Sequence, residues 1–252
     1  LFAVAKEEGL ECFSSPFDPT AVELLESLNV PAYKIASFEI TDIPLIELVA
    51  SKGKPIIIST GIAELEDIEL AIDACERMGN ENIAILKCTS SYPAPIEEAN
   101  MIMVKDFAER FNMIVGLSDH TIGSTAPVVA TCFGAKIIEK HFILDRSIGG
   151  PDSSFSMNEA EFTEMVKAVR EAEKAIGKVD YNLTDKQKKG KDFSRSLYIV
   201  ENIAEGEVLT EKNIRSIRPG FGLHPKFFKE VLGKKVKRNI EKGERLSLED
   251  LE

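Results

Sequence analysis

Histidine is scarce in this chain: 252 residues hold only His120, His141 and His224. Cysteine is nearly as rare. Cys12, Cys75, Cys88 and Cys132 show neither CxxC nor finger spacing, which excludes a zinc-finger or disulfide-framework reading. The expectation is unpaired, buried thiols in a reducing compartment, hence a cytoplasmic protein. Basic charge is in deficit, 31 Lys and Arg against 42 Asp and Glu for a net charge of -11. That argues against a nucleic-acid or anionic-membrane partner. An anionic substrate would have to be held by local positive charge. No apolar run is long enough to span a bilayer, and no stretch reads as a signal peptide.

What is present is enough for a sizeable core, with 44% apolar residues. The length allows one large domain, or one plus a small one. Two of the three histidines follow apolar, strand-like runs: Ile114–Ser118 then Asp119-His120, and Ile137-Ile138-Glu139-Lys140-His141. They lie 21 residues apart, about one strand–helix–strand step. If the two strands are parallel neighbours, both imidazoles stand at the same rim of one sheet, where α/β enzymes build their sites.

Strand candidates recur at Glu11–Ser15, Ala32–Ala36, Pro55–Thr60, Ile83–Cys88, Ile114–Ser118 and Lys136–Lys140. Helical patterns lie between them at Thr20–Leu28, Ile43–Ser51, Leu65–Met78, Met103–Phe111 and Thr125–Phe133, and a longer one follows at Asn158–Ile176. This alternation predicts βαβ units and a parallel sheet. Polar residues follow every strand: Ser14-Ser15, Ser37-Phe38-Glu39, Ser59-Thr60-Gly61, Thr89–Tyr92, Asp119-His120 and His141. A doubly wound sheet concentrates its chemistry at one glycine-rich turn. Chemistry spread over all strand ends is the (β/α)8, or TIM-barrel, pattern. With six strands visible, two N-terminal βα units, roughly 60 residues, are expected upstream of Leu1. The Leu1–Leu10 segment itself reads as the end of a helix.

The predicted division is a partial barrel over 1–176, a polar, Lys-rich linker over 177–195 and a small β-rich module over 196–252. Within that module Asn202–Thr210 is echoed 37 residues later by Asn239–Ser247. Gly206 and Gly243 suit turns needing positive φ, and Thr210 and Ser247 suit N-caps of one-turn helices.

Paired imidazoles at His120 and His141, with Asp119 and Glu139 able to orient them, point to a divalent metal of the Mn, Mg or Fe type with open positions. Lys34 lies in the otherwise apolar run Tyr33–Ser37. A lysine inside a barrel strand is costly unless it meets an anion. Lys87 and Lys140 face either inward or toward the helices; the pattern leaves both open. Ser59, Thr60, Ser90 and Ser118 are small hydroxyls suited to phosphate or carboxylate oxygens. Glu39 suits a general base or a hydroxyl acceptor. Asp145-Arg146 is expected to form a loop-shaping ion pair, Gly149–Asp152 a turn, and Arg218–Gly222 a glycine-rich loop bearing one cation, with His224 in its packing.

Phe13–Asp18, Tyr33–Glu39, Lys54–Gly61, Lys87–Pro93, Gly116–Thr121 and Glu139–Phe142 together resemble the sialic acid synthase (N-acetylneuraminate synthase-like) family. The Arg218-Pro219-Gly220 loop is similar to that family's antifreeze-like SAF (β-clip) domain. Ala36–Glu39 and Gly150–Ser153 look most like the pseudaminic acid synthase branch. The resemblance implies a (β/α)8 TIM barrel lacking its N-terminal βα units plus a C-terminal SAF domain. It implies a transferase condensing phosphoenolpyruvate with 2,4-diacetamido-2,4,6-trideoxyaltrose, or in the sialic and legionaminic branches an N-acetylmannosamine-type sugar. The products would be a nine-carbon 2-keto acid and phosphate. By the same resemblance His120 and His141 would bind the metal, Mn or Mg. Lys34, Ser59, Ser90 and Ser118 would hold phosphoenolpyruvate. Glu39, Tyr92 and Arg218 would contact the sugar, and Glu39 and Lys34 would be catalytic. Arg218 would act in the other subunit of a domain-swapped homodimer. Because the family's first two strands carry further catalytic groups, these 252 residues alone are expected to be inactive.

Overall fold

The computed structural model describes all residues, Leu1–Glu252. They form two compact units, Leu1–Gly177 and Lys178–Glu252. The first unit is an all-parallel sheet in sequence order, β1 (Tyr33–Ile35), β2 (Ile56–Ser59), β3 (Ile83–Cys88), β4 (Ile114–Asp119) and β5 (Ile137–Lys140). Its helices are α1 (Phe2–Glu7), α2 (Pro19–Ser27), α3 (Ile43–Ala50), α4 (Leu65–Arg77), α5 (Ile102–Phe111), α6 (Thr125–Cys132) and α7 (Glu159–Ile176). Local chemistry sets their ends. Asp18 and Asp42 accept backbone N–H groups at the starts of α2 and α3, each followed by a proline in the first turn, and Asn158 with Glu161 forms a capping box on α7.

Strand alternation divides the side chains in two. Tyr33, Ile35, Ile56, Ile58, Ile83, Ile85, Val115 and Leu117 face the helices and make one buried core with Val22, Ile46, Ile68, Val104 and Phe107. The opposite face carries Lys34, Ser59, Ser118 and Glu139. Lys34 Nζ on β1 lies 3.7 Å from Glu139 Oε1 on β5. Four strand spacings in a flat sheet would separate these strands by about 19 Å, so the contact requires the sheet to curl into a half-barrel with this face inside. Gly116 fits the same geometry. A Cβ there would stand 2.4 Å from the Ile137 carbonyl oxygen and 2.5 Å from Leu86 Cδ2.

Glu11–Ser15 departs from expectation. It runs beside β1 but shares a single backbone bond, Lys34 N–H to Ser14 O at 3.4 Å, and forms no ladder. Pro16, which has no N–H, and the capping turn at Asp18 end the extended run before pairing can propagate. The cysteines are all unpaired, with Cys75 and Cys88 buried and Cys12 half-buried. Cys132 is exposed because it closes α6 on its solvent side. No helix is long and apolar enough to cross a membrane.

The second unit contains α8 (Asp185–Gly190), β6 (Ser196–Ile199), β7 (Ile214–Ile217) and α9 (Phe228–Val231), with β6 and β7 antiparallel. Its core is separate: Leu197, Ile199, Ile203, Leu209, Ile214, Val231, Val236, Ile240, Leu246 and Leu251. The two sequence repeats pair with each other. Ile203 and Ile240 exchange backbone hydrogen bonds of 3.0 and 2.9 Å. Asn202 accepts from Lys242 N and Asn239 from Glu205 N, both at 2.8 Å. Ser247 caps a one-turn helix as expected, but Glu211–Asn213 is only a turn, since Asn213 turns its side chain back to accept from Thr210 N and donate to Val208 O.

Candidate active site

The inner face carries its polar groups at the C-terminal ends of the strands. Lys34, 6% exposed, donates to Ser59 Oγ at 2.7 Å and to its neighbour Ile35 O at 3.1 Å. Burial pushes its pKa down, against the opposing pull of Glu139. Ser118 donates to Glu139 Oε1 at 2.5 Å. Ser90 donates to Ser37 Oγ at 2.8 Å, and the pair exists because residue 61 is glycine. A Cβ there would stand 2.1 Å from Ser90 Oγ, 2.6 Å from Ser37 Oγ and 2.8 Å from Cys88 Sγ.

Hydroxyl arithmetic shows what this cluster can still do. Ser37 and Ser59 each accept a hydrogen bond, so the hydrogen of each is free to donate to an oxyanion. With the Lys34 ammonium beside Ser59, these are groups chemically able to bind an anion, a candidate anion cradle. Glu39 stands in the turn after β1, its Oε2 buried and without a partner. Burial raises its pKa, reinforced by Asp42. A carboxyl with raised pKa and an idle oxygen is equipped to accept and return a proton.

The two imidazoles lie with ring centroids 5.2 Å apart, edge to face. His120 Nδ1 is 2.9 Å from Thr89 O. A carbonyl only accepts, so Nδ1 carries the hydrogen and Nε2 presents its lone pair. His141 Nδ1 faces the Asp152 carboxylate at 3.6 Å, leaving its Nε2 free as well. Burial and then the neighbouring His120 lower the pKa of His141. For His120 burial also acts downward, but hydrogen bonds to the Cys88 sulfur and the Thr89 carbonyl outweigh it and the net direction is up. The Tyr92 ring lies 4.3 Å from that of His120, and Phe155 lies 4.9 Å from His141. No three His, Cys, Asp or Glu side chains converge closely enough to hold a metal alone.

Lys34, Ser59, Ser90, Ser118, Glu39, Tyr92, His120 and His141 therefore all belong to the first unit's inner rim. Arg218 lies in the second unit, exposed at the end of β7. Lys87 and Lys140, left open by the pattern, both point to the helix side: Lys87 donates to Cys88 O and Thr89 Oγ1, and Lys140 to Asp119. Arg146 pairs with Glu161 instead of its neighbour Asp145, whose carboxylate caps Ser147 N. Ser37, Cys88 and the inward Glu139 were not singled out as ligands by pattern. Glu139 was findable, since two residues before an inward His141 is inward too. A cleft of about 670 Å3 lies elsewhere, between Leu144–Arg146 and the first turns of α7, and holds neither histidine.

A half-barrel of parallel strands with an oxyanion cradle beside two imidazoles, joined to a small β module, defines a barrel-type α/β enzyme. The chain belongs to the NeuB family, which it matches over residues 1–181, and a SAF domain follows over residues 194–252. Membership makes it a phosphoenolpyruvate-using synthase of the transferase type. The pseudaminic acid synthase of Helicobacter pylori is 48% identical over all of this chain and 74% of its own length. The N,N'-diacetyllegionaminic acid synthase of Legionella pneumophila is 34% identical, covering all of this chain and 72% of its own. The crystal structure of the Bacillus subtilis spore coat polysaccharide biosynthesis protein SpsE superposes with a TM-score of 0.67 at 34% identity, covering all of this chain and 76% of that one.

Proposed function

We propose that the protein condenses phosphoenolpyruvate with 2,4-diacetamido-2,4,6-trideoxyaltrose in its open aldehyde form. C3 of phosphoenolpyruvate forms the new carbon–carbon bond to the sugar C1, water adds at C2, and phosphate leaves by C–O cleavage to give the nine-carbon 2-keto acid. The observation that carries this reading is the buried cradle of Lys34, Ser37 and Ser59 beside two imidazoles with free Nε2 atoms, in a chain 46–48% identical to three pseudaminic acid synthases.

Lys34, Ser37 and Ser59 hold the phosphoryl and carboxylate oxygens, and Ser90 and Ser118 join them by turning their hydroxyls from Ser37 and Glu139. Each such charge-assisted bond is stronger than a neutral one. Glu39 serves the sugar hydroxyls and moves a proton. Tyr92, 44% exposed and packed at a tilt against His120, presents an apolar wall and a hydroxyl to the sugar. The donor set at His120 and His141 fits a divalent ion such as Mn or Mg. Each ring offers Nε2 while its other nitrogen is tied to a carbonyl or faces a carboxylate, and two protein ligands leave positions for water and substrate. When bound, such an ion would polarise the aldehyde carbonyl. Arg218 contacts the sugar's acyl group from the SAF domain of a second subunit, in a domain-swapped homodimer.

The test supplies the full-length enzyme with phosphoenolpyruvate, Mn(II) and the diacetamido trideoxyaltrose and follows phosphate release. Release with this sugar supports the reading. Release only with N-acetylmannosamine-type sugars moves the protein to the N-acetylneuraminate or legionaminate synthases, and no release with any of them overturns the condensation.

A further inference from the structure

The residues immediately before the two histidines are Asp119 and Lys140, and they form a buried ion pair. Lys140 Nζ lies 2.6 Å from Asp119 Oδ2, and each side chain is only 1% exposed. The pair sits on the helix face of the sheet, opposite the active site. It is not isolated. Lys140 also donates to the carbonyls of Thr121 and Gly123, while Asp119 Oδ1 accepts from Thr121 N at 2.9 Å. All three ammonium hydrogens are used, and both carboxylate oxygens are occupied.

Three facts give this unit a purpose beyond stability. The β4–β5 register pairs Asp119 with Lys140, so the next residues out, His120 and His141, stand side by side at the rim. Every side-chain hydrogen bond of Lys140 lands on the Asp119–Gly123 segment, which contains His120. The ladder itself ends at Lys140, so beyond that point side chains take over the task of holding the two strand ends together. A buried pair loses much when one partner is removed, because the other charge is left uncompensated.

We propose that the Asp119–Lys140 pair is a positioning unit that sets the separation and orientation of the two imidazoles for a divalent cation. The proposal rests on the reading of His120 and His141 as metal ligands. Outer groups of this kind change metal affinity about ten- to a hundred-fold when lost. Asp119→Asn is the sharpest variant. The amide cannot accept from Lys140 and Thr121 N together, because one of its two positions becomes a donor.

The experiment titrates Mn(II) into the metal-stripped full-length protein, read by electron paramagnetic resonance of free Mn(II), alongside thermal unfolding without metal. The expected result is that Asp119→Asn weakens Mn(II) binding at least ten-fold, while Ile72→Val, a core change on α4, lowers the melting temperature without moving metal affinity. Lys140→Gln, which can still donate to the Thr121 or Gly123 carbonyl, repeats the measurement if Asp119→Asn does not fold. A folded variant that binds Mn(II) within two-fold of the parent overturns the proposal and leaves the metal reading intact. A parent that binds no Mn(II) overturns both.

Discussion

Single atoms decide the anion cradle, and Gly61 is its sharpest case. Its conformation needs no glycine; the space does. Gly61→Ala would drive a methyl into Ser90 Oγ, Ser37 Oγ and Cys88 Sγ at once. The expected outcome is a folded enzyme whose KM for phosphoenolpyruvate rises about ten- to a hundred-fold, the worth of one charge-assisted hydrogen bond, with the sugar KM little changed. Steady-state kinetics with each substrate varied in turn checks it, and equal loss for both substrates would refute the cradle assignment. At this scale much of the placement of the candidate site residues was legible. Lys34 was conspicuous because an ammonium in an apolar strand demands an anion, and the hydroxyls because they recur after every strand. Ser37 escaped because it stands in a turn, where alternation says nothing about direction. Lys87 and Lys140 could not be oriented because a lysine is compatible with either face until its partner, Cys88 O or Asp119, is placed beside it.

Between elements, the joint of α2 with β1 and β2 is electrostatic as well as apolar. Tyr33, fully buried, donates to Glu26 Oε1 at 2.6 Å, and Lys54 pairs with the same oxygen at 2.9 Å. Tyr33 and then Lys54 hold the Glu26 carboxyl below its ordinary value of 4.5. A depressed folded pKa means that the stabilisation is present above the unfolded value and is lost as pH falls through the folded one. Tyr33→Phe should therefore cost about 1.5–3 kcal/mol at neutral pH, a hydrogen bond to a charged group. It should also make the loss of stability below pH 4.5 shallower. Urea unfolding of both proteins across that range measures it, and parallel curves would place the stability of the joint elsewhere. The same scale shows what sequence periodicity can and cannot report. The helices from α2 to α7 came out within one residue or so of their expected ends because caps and apolar spacing agree. Glu11–Ser15 has a strand's composition, yet pairing is a property of two segments, and with β1 on one side it makes one hydrogen bond.

For the molecule as a whole, the proposed role of Arg218 makes a prediction about which subunit supplies it. The loop that carries it is built to be stiff. Ser196 donates to Pro219 O at 2.7 Å and accepts from Gly222 N at 2.9 Å, and Gly220 N donates to Asp192 O at 3.0 Å. Gly220 leaves no room for a side chain, since a Cβ would stand 2.2 Å from Ser194 Oγ. A stiff, exposed loop presenting one guanidinium suits recognition of a polar group at little entropic cost. Neither composition nor periodicity bears on whether that group lies in the same chain or another, because both are properties of one chain. A mixed-dimer experiment separates the cases. One full-length subunit carries Lys34→Ala and the other Arg218→Ala, each expected to be inactive as a homodimer. In a swapped dimer, the site formed by an intact barrel and the partner's intact loop combines neither defect, so each heterodimer has one working site. Random mixing then restores about a quarter of the parent activity. If Arg218 serves its own barrel, every site in every dimer carries one defect, and mixing restores nothing.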